Sequence, residues 1–203
     1  IVVSSGGVTG DATGTITVGF GALDRIAILD DTNGNGSVIE SLSFTTDEST
    51  TMYMAGYDAD DNYIRDVKVQ WTVQGDIGEV NTGGIYTSST IFTATTIGTG
   101  VVQADSSVFE DETGIITVSG GSLSYLQIRE EGNGGGSIVG DVSLSTDEIL
   151  TMYAAGYDAD DNYLSDQDVS WSVTGTLDAV TNSGSSITFS PSTSSTSGTI
   201  VVS

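Results

Sequence analysis

The sequence predicts an all-β protein composed of tandem Greek-key β-sandwiches with seven strands each, and two observations lead to this fold class. Apolar and polar residues alternate over short segments such as residues 67–73, which is the pattern of a strand with one buried face. Clusters of Asp, Asn and Gly separate these segments at the spacing of about 8 to 12 residues that is typical of sandwiches. No segment has the 3.6-residue period of an amphipathic helix, so we expect almost no helix.

The tandem arrangement follows from a repeat with a constant offset of 100 residues. Residues 55–63 recur letter for letter at residues 155–163 as AGYDADDNY. The triplet Thr-Asp-Glu at residues 46–48 recurs at residues 146–148. The chain therefore holds about two lengths of one repeating unit.

The phase of the repeat predicts three regions. We expect residues 1–22 to supply the terminal strand or strands of a preceding or neighbouring unit, residues 23–121 to form a complete sandwich, and residues 122–203 to form a sandwich without its last strand. Residues 13–18 match residues 113–118, the last strand of the complete unit. Two explanations stay open: a neighbouring subunit donates this strand, or the strand arrives in a continuous polypeptide.

The same alternation defines the individual strands within a unit. In residues 67–73 every second residue is apolar, which places Trp71 on the buried face. We therefore expect Trp71 and its counterpart Trp171 to lie in the two cores. Further strands are predicted at residues 15–18, 26–28 and 51–54.

The composition excludes several classes of function. The chain of 203 residues has 28 acidic and 4 basic side chains, a net charge of −24, and no His or Cys. Without imidazole or thiolate it cannot build a Ser-His-Asp or Cys-His nucleophile, a zinc finger or a haem site. Its charge repels phosphate, so we expect no nucleic-acid partner. No apolar run approaches the length of about 20 residues that a membrane-spanning helix needs.

One hairpin carries a resemblance to a known family. Residues 58–71, DADDNYIRDVKVQW, resemble the hairpin between the second and third strands of bacterial immunoglobulin-like (Big) repeats, as in invasin- and intimin-type adhesins. Residues 161–171 show the pattern again, and residues 114–118 look like the closing strand. Asp61 and Asp66 stand where that family usually has glycine. The resemblance implies immunoglobulin-like sandwiches that act as an extracellular spacer or fibre module without catalytic residues.

The acidic turn of this hairpin is the strongest candidate site. Four carboxylates within nine residues repel one another unless water or a cation screens them, and a cluster of oxygen ligands suits Ca²⁺. The alternative is that Asp and Asn simply favour tight turns, where their side chains bond to the local backbone. The candidate calcium ligands are Asp58, Asp60, Asp61, Asn62 and Asp66 and, in the second unit, Asp158, Asp160, Asp161, Asn162 and Asp166.

A second candidate calcium loop lies between the first two strands. Asp31, Asn33 and Asn35 form the D-x-N-x-N-G opening of such a loop. The twelfth position is Leu42 instead of a bidentate Glu, so a glycine-rich turn is the alternative interpretation.

These observations favour a structural role over catalysis. The leading hypothesis is a structural repeat segment of a bacterial extracellular filament or surface adhesin, whose partners are further units or subunits of the same fibre. Strand complementation and stiffening by Ca²⁺ are parts of this hypothesis. The alternative is a carbohydrate- or receptor-binding module with a glycan or cell-surface ligand. The identical hairpin in both copies favours repetition, because binding would predict copies that diverge at exposed loops.

Overall fold

The computed structural model describes residues 1–3, 6–7, 11–81, 83–180 and 182–203. Within these residues it contains nineteen strands and no helix, which confirms the all-β fold class. No helix that is long and apolar enough to cross a membrane occurs in this part of the chain. The first two strands, β1 (Val2–Val3) and β2 (Asp11–Ala12), pair only with each other there.

The first sandwich contains ten strands between residues 25 and 119. They are β3 (Arg25–Leu29), β4 (Leu42–Thr45), β5 (Ser49–Tyr57), β6 (Tyr63–Asp66), β7 (Gln70–Gln74), β8 (Gly78–Val80), β9 (Ser89–Ala94), β10 (Gly98–Asp105), β11 (Glu110–Glu112) and β12 (Ile116–Ser119). One sheet has the order β3-β5-β9-β8 with β6 beside β5, and the other has the order β11-β10-β12-β4 with β7 beside β10. This is the Greek-key arrangement of an immunoglobulin-like sandwich. Its last strand, β12, runs antiparallel to β10 and parallel to β4.

The sequence predicts seven strands in this unit, and the structure divides them into ten. The first strand of the sandwich is split into β3 and β4, the last into β11 and β12, and β6 is an additional short strand. The break in the last strand has a local cause. The hydroxyl of Thr113 accepts the N–H of Val102 at 3.0 Å, and the N–H of Gly114 donates to the carbonyl of Ile39 at 3.1 Å.

Each sandwich buries its own apolar core. Trp71 and Trp171 are 3% and 2% exposed, which confirms the prediction that both are core residues. Each indole N–H is also satisfied, because Trp71 donates to the carbonyl of Thr87 at 3.1 Å and Trp171 donates to that of Gly184 at 2.9 Å. A buried donor with a partner avoids the cost of desolvation.

The second sandwich lies within residues 125–202. Its strands are β13 (Tyr125–Arg129), β14 (Leu150–Tyr157), β15 (Tyr163–Asp166), β16 (Val169–Val173), β17 (Asn182–Gly184), β18 (Ser186–Phe189) and β19 (Ile200–Val202). One sheet is β13-β14-β15 with β18 beside β14, and the other is β17-β16-β19. Residues 142–145, the counterpart of β4, form no strand. The reason is that β4 has β12 as its partner, and the second sandwich contains no counterpart of β12 among its described residues.

Residues 13–22 belong to neither sandwich. The strand predicted at residues 15–18 pairs with no other strand in the described part of the chain. Ile16 and Val18 are 65% and 89% exposed, whereas their counterparts Ile116 and Val118 are 0% and 2% exposed. Pairing of this segment with a preceding or neighbouring unit stays a prediction, because β12 is held by β10 and β4 of its own unit and the described residues before β3 offer no such neighbours.

Candidate functional site at the joint between the units

The identical hairpin of the two units is closed by its first aspartate. In the second unit the buried carboxylate of Asp158 accepts the N–H of Asp160 at 3.0 Å and the N–H of Asn162 at 2.9 Å. The side-chain amide of Asn162 donates to the same carboxylate. Asp161 between them has a φ of +66°, a left-handed conformation that Asp tolerates better than most residues. The Asp-x-x-x-Asn spacing therefore builds a turn around one carboxylate.

The same carboxylate joins the two sandwiches. The hydroxyl of Thr46, at the end of β4 in the first unit, donates to Asp158 at 2.8 Å. The N–H of Gly121 in the linker donates to it at 3.1 Å. The side-chain amide of Asn162 also donates to the carbonyl of Thr95 in the first unit at 3.0 Å. The joint therefore consists of one buried anion that is shared by the first unit, the linker and the second unit.

The linker fits tightly against the first unit. The N–H of Ser122 donates to the carboxylate of Asp47 at 2.8 Å. A Cβ at Gly121 would lie 2.6 Å from an Asp47 carboxylate oxygen and 2.8 Å from the Thr46 hydroxyl. A side chain at position 121 would therefore displace the carboxylate of Asp47 and the hydroxyl of Thr46, so the linker as well as the hairpin contributes to the joint.

The joint keeps the carboxyl of Asp158 ionised. Burial alone raises the pKa of this carboxyl, but hydrogen bonds from the Thr46 hydroxyl and from the Asn162 and Gly121 N–H groups outweigh burial and lower its pKa to about 2. The folded-state pKa is thus below that of the unfolded chain. Ionised Asp158 consequently stabilises the fold above about pH 4, and this contribution is lost as the pH falls toward about 2.

The first unit repeats half of this joint. Asp58 is buried and accepts the N–H of Gly21 at 2.9 Å, as Asp158 accepts that of Gly121. This bond and those from Asn62 lower the pKa of the Asp58 carboxyl. Among the described residues, no hydroxyl donates to Asp58 as Thr46 donates to Asp158. The first hairpin therefore has the linker contact of this joint, and the described residues supply no counterpart of Thr46 to it.

The other predicted calcium ligands of the hairpin turn to different partners. Asp61 forms an ion pair with Arg25 at 2.9 Å, and Asp161 accepts the hydroxyl of Tyr125. Asp66 and Asp166 accept the hydroxyls of Tyr63 and Tyr163, respectively. Asp60 and Asp160 are exposed. In the described ranges no three acidic side chains come together as a cation site. Calcium at this hairpin stays a prediction.

The predicted calcium loop between the first two strands is a hydrogen-bonded turn. Asp31 accepts the N–H of Thr32 at 2.7 Å, and the side chain of Asn35 donates to the carbonyl of Thr32 at 3.2 Å. Asn33 and Gly34 have φ values of +59° and +68°, the left-handed conformation that both residue types adopt readily. These contacts agree with the turn interpretation, and binding of calcium by this loop stays a prediction.

The second sandwich also contains a groove, which the individual sequence motifs do not predict. It has a volume of about 920 Å³ and lies between residues 142–146 and residues 196–200. These two segments correspond to β4 and to the start of β10, between which β12 lies in the first unit. The groove therefore lies where the repeat phase predicts that a last strand is missing from residues 122–203. Its apolar lining includes Val142, Leu144, Leu177 and Ile200.

Comparison with known proteins gives similar structures only. No protein family and no curated protein matches the sequence. A structure of domains 4–9 of the surface layer protein SbsC is similar at 17% identity and a TM-score of 0.36, over 89% of this chain and 31% of that one. The Escherichia coli adhesin FdeC is similar at 16% identity and a TM-score of 0.38, over 91% of this chain and 66% of that one.

A C-terminal fragment of intimin, in complex with the intimin-binding domain of the translocated intimin receptor, is similar at 14% identity and a TM-score of 0.32, over 90% of this chain and 63% of that one. The chain spans 52% of a structure of SbsC domains 4 and 5. These TM-scores are all below 0.5 and carry no functional conclusion.

Proposed function

We propose that the chain is a structural repeat segment of a bacterial extracellular filament or surface adhesin. The observation that supports this function is the buried joint at Asp158, half of which recurs 100 residues earlier at Asp58. A joint that recurs with the period of the repeat belongs to an array in which each unit contacts its neighbours. No catalytic chemistry is needed for this role, and the array gains length with each unit.

The joint supports a mechanical role because it restricts the orientation of the units. Interfaces between domains that lack extensive contacts allow relative motion by default. Here a buried anion accepts bonds from both sides of the linker, and such charge-assisted hydrogen bonds are among the stronger polar contacts in proteins. A restricted joint transmits orientation from unit to unit, which a spacer or filament needs.

Thr46→Glu tests this function, because it places a second carboxylate beside Asp158. We expect it to widen the distribution of distances between spin labels attached to Thr72→Cys and Ser172→Cys, two equivalent exposed positions in a chain that has no other cysteine. Double electron–electron resonance spectroscopy measures these distances. The matched control is Thr146→Glu, because Thr146 is exposed and faces no second hairpin within the chain.

A narrow distribution in the unmodified chain and in the Thr146→Glu control, widened only by Thr46→Glu, supports the proposal. A distribution that is already broad in the unmodified chain contradicts it. Saturable binding of a glycan by the chain would instead favour the alternative of a binding module.

Strand complementation is the second part of the proposed function. An open sheet edge next to an apolar groove is a template for an added strand. The second sandwich has such a groove, and the repeat assigns to it a strand with the pattern Thr-Gly-x-Ile-Thr-Val.

Stiffening by calcium is the third part, and it rests on charge rather than on a formed site. With a net charge of −24 and exposed acidic turns, the chain repels itself, and divalent cations screen this repulsion. We expect millimolar calcium to raise the melting midpoint by a few degrees relative to sodium chloride of equal ionic strength. Thermal melting followed by circular dichroism, with chelator as the reference, measures this shift. An unchanged midpoint would leave Asp60 and Asp160 as solvated turn residues.

A further inference from the structure

The groove of the second sandwich and the exposed segment at residues 13–18 are complementary halves of one structure. In the first unit, β12 lies between β10 and β4, and its residues Ile116 and Val118 are 0% and 2% exposed. The groove has the counterparts of both neighbouring strands, and the exposed segment has the counterpart of β12. The exposed Ile16 and Val18 would be buried on entering such a groove, which favours association.

We infer that residues 13–18 of a second copy of this chain occupy the groove of the first copy and join the copies head to tail. This inference rests on the proposed function and names the partner of the open sandwich. Because the donor and the groove are different surfaces of one molecule, the contact repeats without closing on itself and extends into a filament.

The first unit predicts the register of the donated strand. β12 places Thr117 opposite Ser43 in β4 and opposite Thr99 in β10. The acceptor counterpart of Ser43 is Ser143, whereas β19 follows β10 at an offset of 98 residues, because Ile200 pairs with Val173 as Val102 pairs with Val73. The donated Thr17 therefore lies between Ser143 and Ser197 of the acceptor. Ile16 and Val18 then point to the core, as Ile116 and Val118 do.

The donor also reproduces a steric requirement of the last strand. A Cβ at Gly114 would overlap the carbonyl oxygen of Glu40, so the break before β12 needs glycine. The donor has glycine at the matching position, Gly14, and the acceptor counterpart of Glu40 is Gly140. In the single chain, a Cβ added at Gly14 or at Gly140 would meet no other atom within 4 Å, so their close contact is free to form.

The same association supplies the hydroxyl that the joint at Asp58 lacks among the described residues. Asp58 already accepts the N–H of Gly21 and lacks the hydroxyl that Thr46 supplies to Asp158. The matching hydroxyl is that of Thr146, which is exposed beside the groove. Insertion of the donor brings Thr146 of one copy to Asp58 of the next and completes the joint on the same pattern.

Cysteine cross-linking between two single variants tests the register. Directly opposed residues of antiparallel strands lie within the distance that a disulfide spans, so Thr17→Cys in one chain and Ser197→Cys in another should form a mixed dimer. The control pairs Thr17→Cys with Ser172→Cys, which is equally exposed and lies in β16. We expect a dimer with position 197 and only background with position 172. The assay needs added salt, because copies of charge −24 repel each other.

Substitutions in the exposed segment test the apolar contact without disturbing either sandwich. Ile16→Asp should abolish the cross-link and the concentration-dependent increase in mass seen by light scattering. Thr17→Asp, on the outward face, should leave the increase in mass intact. Gly14→Ala should weaken association. It should leave the melting midpoint of the single chain unchanged, because a Cβ added at Gly14 meets no other atom within 4 Å.

Three outcomes overturn the inference. They are a chain that stays monomeric at every concentration, equal cross-linking to positions 197 and 172, and a synthetic peptide of residues 11–20 that binds the groove while full chains do not link. The last result would assign the groove to a strand from another source. The spin-label distances within one chain are measured at low concentration, so a failure of the inference leaves the proposed function separately testable.

Discussion

Asp158→Ala is expected to lower the free energy of unfolding of the second sandwich by about 3 kcal/mol, since it leaves several buried donors without an acceptor. The donors are the Thr46 hydroxyl, the Gly121 N–H and the N–H groups of the hairpin. Urea unfolding followed by the fluorescence of Trp171, in a Trp71→Phe background, measures the effect. The midpoint for the second sandwich should fall, and the slope should stay similar because little surface changes.

The matched control for this substitution is Asp160→Ala. Asp160 lies two residues away in the same turn and is exposed, so its side chain should change stability by no more than about 0.5 kcal/mol. Equal effects of the two substitutions would contradict a special role of Asp158 and reduce it to one charge among many.

The pH dependence of stability provides a second measurement of the same group. The pKa of Asp158 is lowered to about 2 in the fold, so the unmodified chain should lose stability as the pH falls from about 4 to about 2. Asp158→Ala should flatten that part of the profile relative to Asp160→Ala. Identical profiles would mean that Asp158 does not titrate with folding.

The fold could be predicted from the sequence where the alternation within a single strand shows which of its faces is buried. The alternation at residues 67–73 and the burial of Trp71 and Trp171 depend only on the period of two and on apolar side chains. The paired strand predicted at residues 15–18 depends on neighbours that lie elsewhere, and the local pattern contains no information on them. For the same reason residues 142–145 form no strand although their counterparts form β4.

The site could be predicted in part. The sequence predicts the acidic hairpin as a candidate site, but its pattern alone does not distinguish a carboxylate that binds a cation from one that accepts N–H groups. The donors to Asp158 come from Thr46 and Gly121, which are distant from it in sequence. The signal that could have identified the joint is the recurrence of Thr46 as Thr146 in step with the hairpin, which implies that the two are used together.

Gly114→Ala is expected to destabilise the first sandwich by about 3 kcal/mol, because the added Cβ would overlap the carbonyl oxygen of Glu40. The atom in the way belongs to the backbone, so no side-chain rotation relieves the overlap. The chain must move β12 away from β4, which weakens a parallel ladder of four residue pairs and loosens the burial of Ile116 and Val118. Trp71 fluorescence during urea unfolding, in a Trp171→Phe background, measures the loss.

Gly14→Ala is the control that the repeat provides. Gly14 has the same place in the sequence pattern as Gly114, but no atom lies within 4 Å of the added Cβ, so the single chain should unfold at an unchanged midpoint. Both glycines have φ values outside the left-handed region, and any difference between the two variants must therefore come from the neighbouring strand and not from backbone freedom. An equal loss of stability in both variants would contradict this explanation, in which glycine is required at position 114 because β12 begins close to the carbonyl of Glu40.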